Sequence, residues 1–104
     1  MVRMDASTLF LKMENELTIY QVEEINKQLC LLFGNAESVI VDMTSVDKID
    51  TAGFQLLMSL KQSCENMNKN FELNGVGGSV SNFFSLFGLI YRGDENYFGV
   101  KAPA

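Results

Sequence analysis

SVIVDMTSVDKIDTAGFQLLMSL, residues Ser38 to Leu60, decides the fold. It opens on an apolar β-branched run, Val39-Ile40-Val41, that ends at Asp42, the pattern of a strand over Val39–Met43. A continuous apolar run of this kind predicts burial on both faces, as in a sheet covered by helices. Thr44 to Lys48 reads as a short polar loop carrying Val46, with the charges Asp47 and Lys48 solvated. Asp50-Thr51-Ala52-Gly53 then opens a helix running from about Ala52 to Met67. At 100° per residue Gly53, Leu56, Leu57, Leu60, Cys64 and Met67 share one arc, the expected core face. Phe54 and Met58 fall opposite that arc, in line with Lys61 and Glu65, and Thr51 projects to the same outward side.

The flanks extend this strand–helix alternation. Thr8 to Met13 predicts a first strand, and Glu16 to Ile19 a short second one after a turn at Asn15. Val22, Ile25, Leu29, Leu32 and Phe33 recur at helical spacing from Tyr20 to Phe33, with Gly34-Asn35 as the stop. Asn70 to Asn74 reads as a strand. Gly75, Gly77 and Gly78 turn the chain, and Ser79 is placed to cap a third helix bearing Val80, Phe83, Phe84 and Phe87 and stopping at Gly88. Leu89 to Tyr91 is a candidate last strand, and the sequence after it is left unassigned. The order predicts one α/β domain over residues 1–104, a mixed four- to five-stranded sheet with helices packed on it.

Composition narrows the function. The chain has 104 residues, 47% of them hydrophobic, which suits one core. No apolar run approaches the roughly 20 residues that span a bilayer, and MVRMDAS lacks the apolar region of a signal peptide, so direct membrane insertion is not expected and the cytoplasm is the expected compartment. The net charge is −5 with Lys and Arg scattered, which argues against a nucleic-acid partner. Cys30 and Cys64 read as reduced residues in or near the core. There is no His, no nucleophile–base pair, no metal-ligand cluster and no P-loop, so neither an enzyme, a metal nor a cofactor is expected. Val76-Gly77-Gly78-Ser79 only turns the chain.

The Asp50-Thr51 pair has two readings. Asp and Thr are both favoured N-caps, so either could do no more than cap the helix, at about 1 kcal/mol. Alternatively, a hydroxyl at a helix N-terminus, where N–H groups are unpaired and negative charge is welcome, is a candidate phosphate acceptor with Asp50 assisting. Phe54 and Met58 beside it would form an apolar patch suited to a partner.

The pattern Asp42-x-Thr44-x-Val46-x-x-Ile49-Asp50-Thr51-Ala52-Gly53-Phe54-x-Leu56-Leu57 closely resembles the signature of STAS domains, the bacterial anti-sigma-factor antagonists and related domains of sulfate transporters. Glu16-Leu17-Thr18-Ile19-Tyr20 before a helix, and Ser79-Val80 through Phe87-Gly88-Leu89, resemble the family's early and final segments. The resemblance implies a non-catalytic regulatory module. An anti-sigma-factor serine/threonine kinase would bind the free domain and phosphorylate it at Thr51, and a phosphatase would restore it. Asp50, Asp42 and Gly53 are then expected to support the phosphosite. Phe54, Gln55, Met58, Val46 and Lys48 are expected to meet the partner. The family often has Ser at the acceptor and a second Ser after it, where this chain has Thr51 and Ala52. The same form occurs in stressosome-type and chemotaxis-linked scaffolds and in lipid-transport systems. The alternative is therefore a subunit constitutively docked on a transporter ATPase in phospholipid trafficking, or a scaffold of the former kinds. The expected oligomeric state is a monomer or weak dimer.

Overall fold

A computed structural model of the chain describes the backbone of residues 2–92 and 97–100 and the side chains of residues 2–89. Its elements are β1 (Val2–Asp5), β2 (Thr8–Leu17), α1 (Ile19–Leu32), β3 (Ser38–Ile49), α2 (Thr51–Asn66), β4 (Asn70–Asn74), α3 (Gly78–Ser85), β5 (Leu89–Arg92) and β6 (Tyr97–Val100). The first four strands form one sheet in the order β1-β2-β3-β4. β1 is antiparallel to β2, while β2–β3 and β3–β4 are parallel, each joined through a helix. The fold is thus an α/β arrangement on a mixed sheet of four strands, within the expected four to five. β5 and β6 pair as a separate antiparallel hairpin; residues 93–96 and 101–104, left unassigned in sequence, lie outside the described residues.

Period-two alternation fills a core on one face only. Leu9, Leu11 and Met13 of β2, Val39, Val41 and Met43 of β3 and Leu73 of β4 are buried beneath Leu29 of α1, Leu56, Leu57, Leu60 and Cys64 of α2, and Val80 and Phe84 of α3. The opposite face carries Phe10, Ile40 and Asp42, all half-buried, with the Arg3 guanidinium 4.8 Å above the Phe10 ring. The expectation that β3 is covered on both faces therefore fails. Ile40 lines a shallow groove with Arg3, Phe10 and Lys12, not a second core. Met67, expected on the core arc, is exposed because it lies past the last turn of α2 as its C-cap. Cys30 is also exposed, at the edge of the groove between α1 and α2, while Cys64 is buried as expected.

Two boundaries differ for one reason, β-bulges. Asn15 adopts φ 60, as a turn residue does, yet it sits inside a single strand running from Thr8 to Leu17. Thr44–Lys48 is no loop but the continuation of β3. Between Lys12 and Leu17 of β2, β3 takes up two extra residues, with register shifts at Lys12/Glu14 and Asn15/Glu16. The first shift carries the core face from Met43 to Val46, three residues on, so both are buried and the alternation is disguised. β1, absent from the sequence expectation, is a four-residue edge strand joined to β2 by Ala6-Ser7, with Ala6 at φ 54. α3 starts at Gly78, capped by Gly77 and not Ser79.

Candidate functional site at the start of α2

The long β3 delivers the chain to α2 beside the start of α1. Asp50 is the residue before the first helical turn, in extended conformation (φ −117, ψ −176). One carboxylate oxygen, Oδ1, accepts the N–H of Gly53 at 2.9 Å, and its Oδ2 accepts the N–H of Ile19, the first residue of α1, at 3.0 Å. One carboxylate thus ties two helix N-termini, where both dipoles favour negative charge. The Gly53 N–H above all holds the Asp50 carboxyl below the usual aspartate range; desolvation opposes it, and the N–H groups of Ile19 and neighbouring residues add to the lowering. The Asp50 N–H in turn donates to the Leu17 carbonyl at 3.3 Å.

Gly53 makes this junction possible. A Cβ there would lie 2.1 Å from the Leu17 carbonyl oxygen, so only glycine lets α2 seat against the end of β2. α1 is fixed from its own side as well: buried Thr18 precedes it, and its N–H donates to Gln21 Oε1 at 3.0 Å.

The cap-or-acceptor ambiguity resolves into two residues. Asp50 carries the cap. Thr51 is the first helical residue, exposed, and its hydroxyl makes no hydrogen bond to any described residue. The remaining expected site residues scatter. Asp42 lies eight residues before Asp50 along extended β3, about 26 Å of chain, so it does not sit beside Thr51. Its carboxylate instead accepts the Thr44 hydroxyl at 2.5 Å and the Thr44 N–H at 2.9 Å, and these bonds lower its pKa.

The expected outward patch is largely overturned. Phe54 is buried, 8% exposed, because α3 folds over it: its ring stacks on Phe87 at 4.4 Å and 19° and meets Phe83 edge-on at 6.1 Å. Val46 is buried and Met58 is half-buried against the core; of the five expected docking residues, only Gln55 and Lys48 are exposed. The outward stripe of α2 is polar, with Thr51, Gln55, Ser59 and Gln62 all exposed. Apolar surface near Thr51 comes instead from elements that the sequence reading gave no such role. Ile19, 62% exposed, lines a cleft of about 450 Å³ with Val22, Asn26, Cys30 and Ala52, and Tyr20 beside it is 85% exposed. On the other flank Phe87, 47% exposed, covers Phe54. The signal for Ile19 and Tyr20 was present: two large apolar residues directly after the Thr18 cap, at a helix start that the core arc does not use.

Among the described residues there is no group of side chains that could hold a metal ion, and no helix is long and apolar enough to cross a membrane. The described residues thus build a two-layer α/β domain with an exposed hydroxyl at a doubly tied helix junction. The model of one family, described as "Mlab, STAS domain", matches residues 1–90, and the chain belongs to the STAS domain family. In fold it is similar to a sulfate transporter family protein from Wolinella succinogenes, at 19% identity over 83% of this chain and 70% of that one, TM-score 0.68. It is similar as well to the anti-sigma factor antagonist SpoIIAA in its unphosphorylated form, at 17% identity over 83% of this chain and 81% of that one, TM-score 0.70. The Bacillus cell fate determinant SpoIIAA in the phosphorylated form matches at 18% identity over 85% and 82%, TM-score 0.71. No curated protein sequence matches the chain significantly.

Proposed function

We propose that this chain is a non-catalytic, cytoplasmic regulatory module that docks a kinase-type anti-sigma factor around the start of α2 and is released when Thr51 is phosphorylated, a phosphatase reversing the change. The observation that carries this reading is the division of labour at the junction. The cap belongs wholly to Asp50, so the exposed Thr51 hydroxyl has no structural employment. A phosphate on Thr51 adds about −1.5 to −2 charges beside the two helix N-termini that already hold the Asp50 carboxylate. Asp50 opposes it, while Asp42 is too far along β3 to matter. The domain therefore keeps its fold, and the new charge acts on the partner. Within an interface built on Ile19, Tyr20 and Gln55 it meets desolvation and like-charge cost, and each ~1.4 kcal/mol lowers affinity tenfold. The match to SpoIIAA in both phosphorylated and unphosphorylated forms with nearly equal TM-scores supports a switch without refolding.

The test is binding of Thr51→Glu and Thr51→Ala to the kinase isolated with the chain from its native cell. Thr51→Ala is expected to bind like wild type and Thr51→Glu at least tenfold more weakly. Equal binding by all three removes the switch.

One observation favours the second reading, permanent docking on a transporter ATPase. Ala52, where a second hydroxyl often stands in the family, is half-buried in the apolar cleft beside Ile19 and Val22. Recovery of a membrane ATPase complex that phosphatase treatment and Thr51→Glu both leave intact decides for it.

A further inference from the structure

β1 is the edge of the main sheet, paired with β2 on one side and with no described strand on the other. It has no proline, no bulge and no lysine, and its register with β2 is unbroken from Val2↔Leu11 to Asp5↔Thr8; its protection is limited to its four-residue length and the charges of Arg3 and Asp5, which are opposite in sign. In a hairpin closed by two residues, here Ala6-Ser7, the closing pair exchanges both hydrogen bonds and the pairs then alternate. Asp5 and Arg3 therefore spend their N–H and C=O groups on Thr8 and Phe10. Met4 and Val2 point theirs outward, away from the sheet. On the side chains the alternation is the reverse in kind: Val2 and Met4 are half-buried on the helix side, while Arg3 and Asp5 are exposed on the open face.

From this geometry we infer that β1 pairs antiparallel with β1 of a second copy of the chain, about a two-fold axis at Met4, joining two four-stranded sheets into one of eight strands. The register follows from charge. An axis at Arg3 sets Arg3 against Arg3, and an axis at Asp5 sets Asp5 against Asp5, like charges directly opposite in both cases. The axis at Met4 uses the outward groups of Met4, packs Met4 against Met4 beneath the helices, and sets Arg3 against Asp5 twice. Arg3, already over the Phe10 ring at 4.8 Å, then lies between that ring and the carboxylate of the second copy.

The contact is short, so the dimer is weak and concentration-dependent. It leaves the proposed switch untouched. The axis is perpendicular to the sheet, so both helix layers lie on one side, and the strands run oppositely across it. The two Thr51 junctions, each at the C-terminal end of its own β3, then point to opposite ends of the sheet. Both stay open, and the dimer is bivalent for its partner.

Sedimentation equilibrium on the untagged chain, over a wide concentration range, tests this directly. Wild type is expected to show a monomer–dimer equilibrium that Arg3→Asp weakens about tenfold, since both cross-strand pairs turn repulsive. Arg3→Asp combined with Asp5→Arg is expected to restore it. In a Cys30→Ser background, Met4→Cys is expected to oxidise to a covalent dimer, because a hydrogen-bonded antiparallel pair sets its Cα atoms about 5.5 Å apart, within disulfide reach. Val2→Cys is not, since its opposite is Ala6. A chain that stays monomeric at every concentration, a dimer indifferent to Arg3→Asp, or preferential cross-linking through Val2→Cys overturns the inference. Arg3 and Asp5 are exposed, so circular dichroism checks that the variants remain folded.

Discussion

Asp50 and Ile19, 31 residues apart in sequence, are joined by a 3.0 Å hydrogen bond from the Ile19 N–H to Asp50 Oδ2. With the 2.9 Å bond from Gly53 to Oδ1, this makes Asp50 a clamp between α1 and α2 and not the cap of α2 alone. Both bonds are charge-assisted and therefore stronger than neutral ones. Asp50→Ala is expected to cost about 2 kcal/mol or more in urea unfolding, twice an ordinary cap. Asp50→Asn keeps one acceptor but turns an amide group toward the second N–H, and is expected to cost about 1 kcal/mol. A cost of only a few tenths for both variants removes the clamp and returns Asp50 to a role in orienting Thr51.

The same carboxylate gives stability a pH dependence of known sign. Asp50 titrates below the ordinary aspartate value of about 3.9 because the Gly53 N–H, then that of Ile19, favours its charged form. A carboxyl whose folded pKa is depressed contributes in full above its unfolded pKa, and that contribution is lost as pH falls through the folded one. The stability gap between wild type and Asp50→Asn is therefore expected to hold steady above about pH 5 and to shrink below about pH 4. Asp42, lowered by its bonds to Thr44, adds to the acid loss in both proteins and cancels in the difference. Urea titrations from pH 3 to 7 measure it; a gap that widens in acid reverses the sign and sinks the assignment.

Gly53 is a second hinge of the junction, and glycine elsewhere supplies its control. Gly→Ala inside a helix normally gains up to about 1 kcal/mol. At Gly53 the new methyl would meet the Leu17 carbonyl oxygen at 2.1 Å, backbone against backbone, which no rotamer relieves. Gly53→Ala is expected to destabilise by about 3 kcal/mol or more. Nothing lies within 4 Å of a Cβ at Gly34, so Gly34→Ala is expected to be neutral or mildly stabilising. Similar effects at the two sites would show that α2 does not approach β2 as described.

What the sequence discloses and what it hides follow from where periodicity survives. β4 and the core arc of α2 from Gly53 to Cys64 are legible, because an unbroken two- or 3.6-residue period survives at each. The far half of β3 is not. One bulge shifts the period between Met43 and Val46 and a second between Val46 and Lys48, and Thr44, Ser45, Asp47 and Lys48 have the composition of a loop. The site shows the same split. Local chemistry picks out Asp50, Thr51 and Gly53 within one short segment. Phe54 looks outward on an isolated helical wheel, and only the return of α3 with Phe83 and Phe84, and of Phe87 in the turn after it, buries it. The same long-range packing leaves Ile19 as the apolar neighbour of the Thr51 junction, a relation that no window of sequence contains.

The two cysteines offer a chemical check on how α1 and α2 sit. Cys30 is exposed on α1, whereas Cys64 is 1% exposed in the core, and burial pushes its thiol above the ordinary range. The thiolate is the reactive species, so Cys64 is shielded twice, by access and by protonation. A thiol-reactive dye is therefore expected to label the folded protein once, at Cys30, and the urea-unfolded protein twice, with mass spectrometry locating each adduct. Cys30→Ser should abolish native labelling while leaving the denatured count at one. Cys64→Ser puts a hydroxyl among Leu-rich packing and should cost about 1–3 kcal/mol, since a buried donor is left without a partner. Rapid native labelling at Cys64 would mean that α2 turns a different face to the sheet. The core arc from Gly53 to Cys64 and the seating of Gly53 on Leu17 would then both be wrong, since one helix rotation fixes the two together.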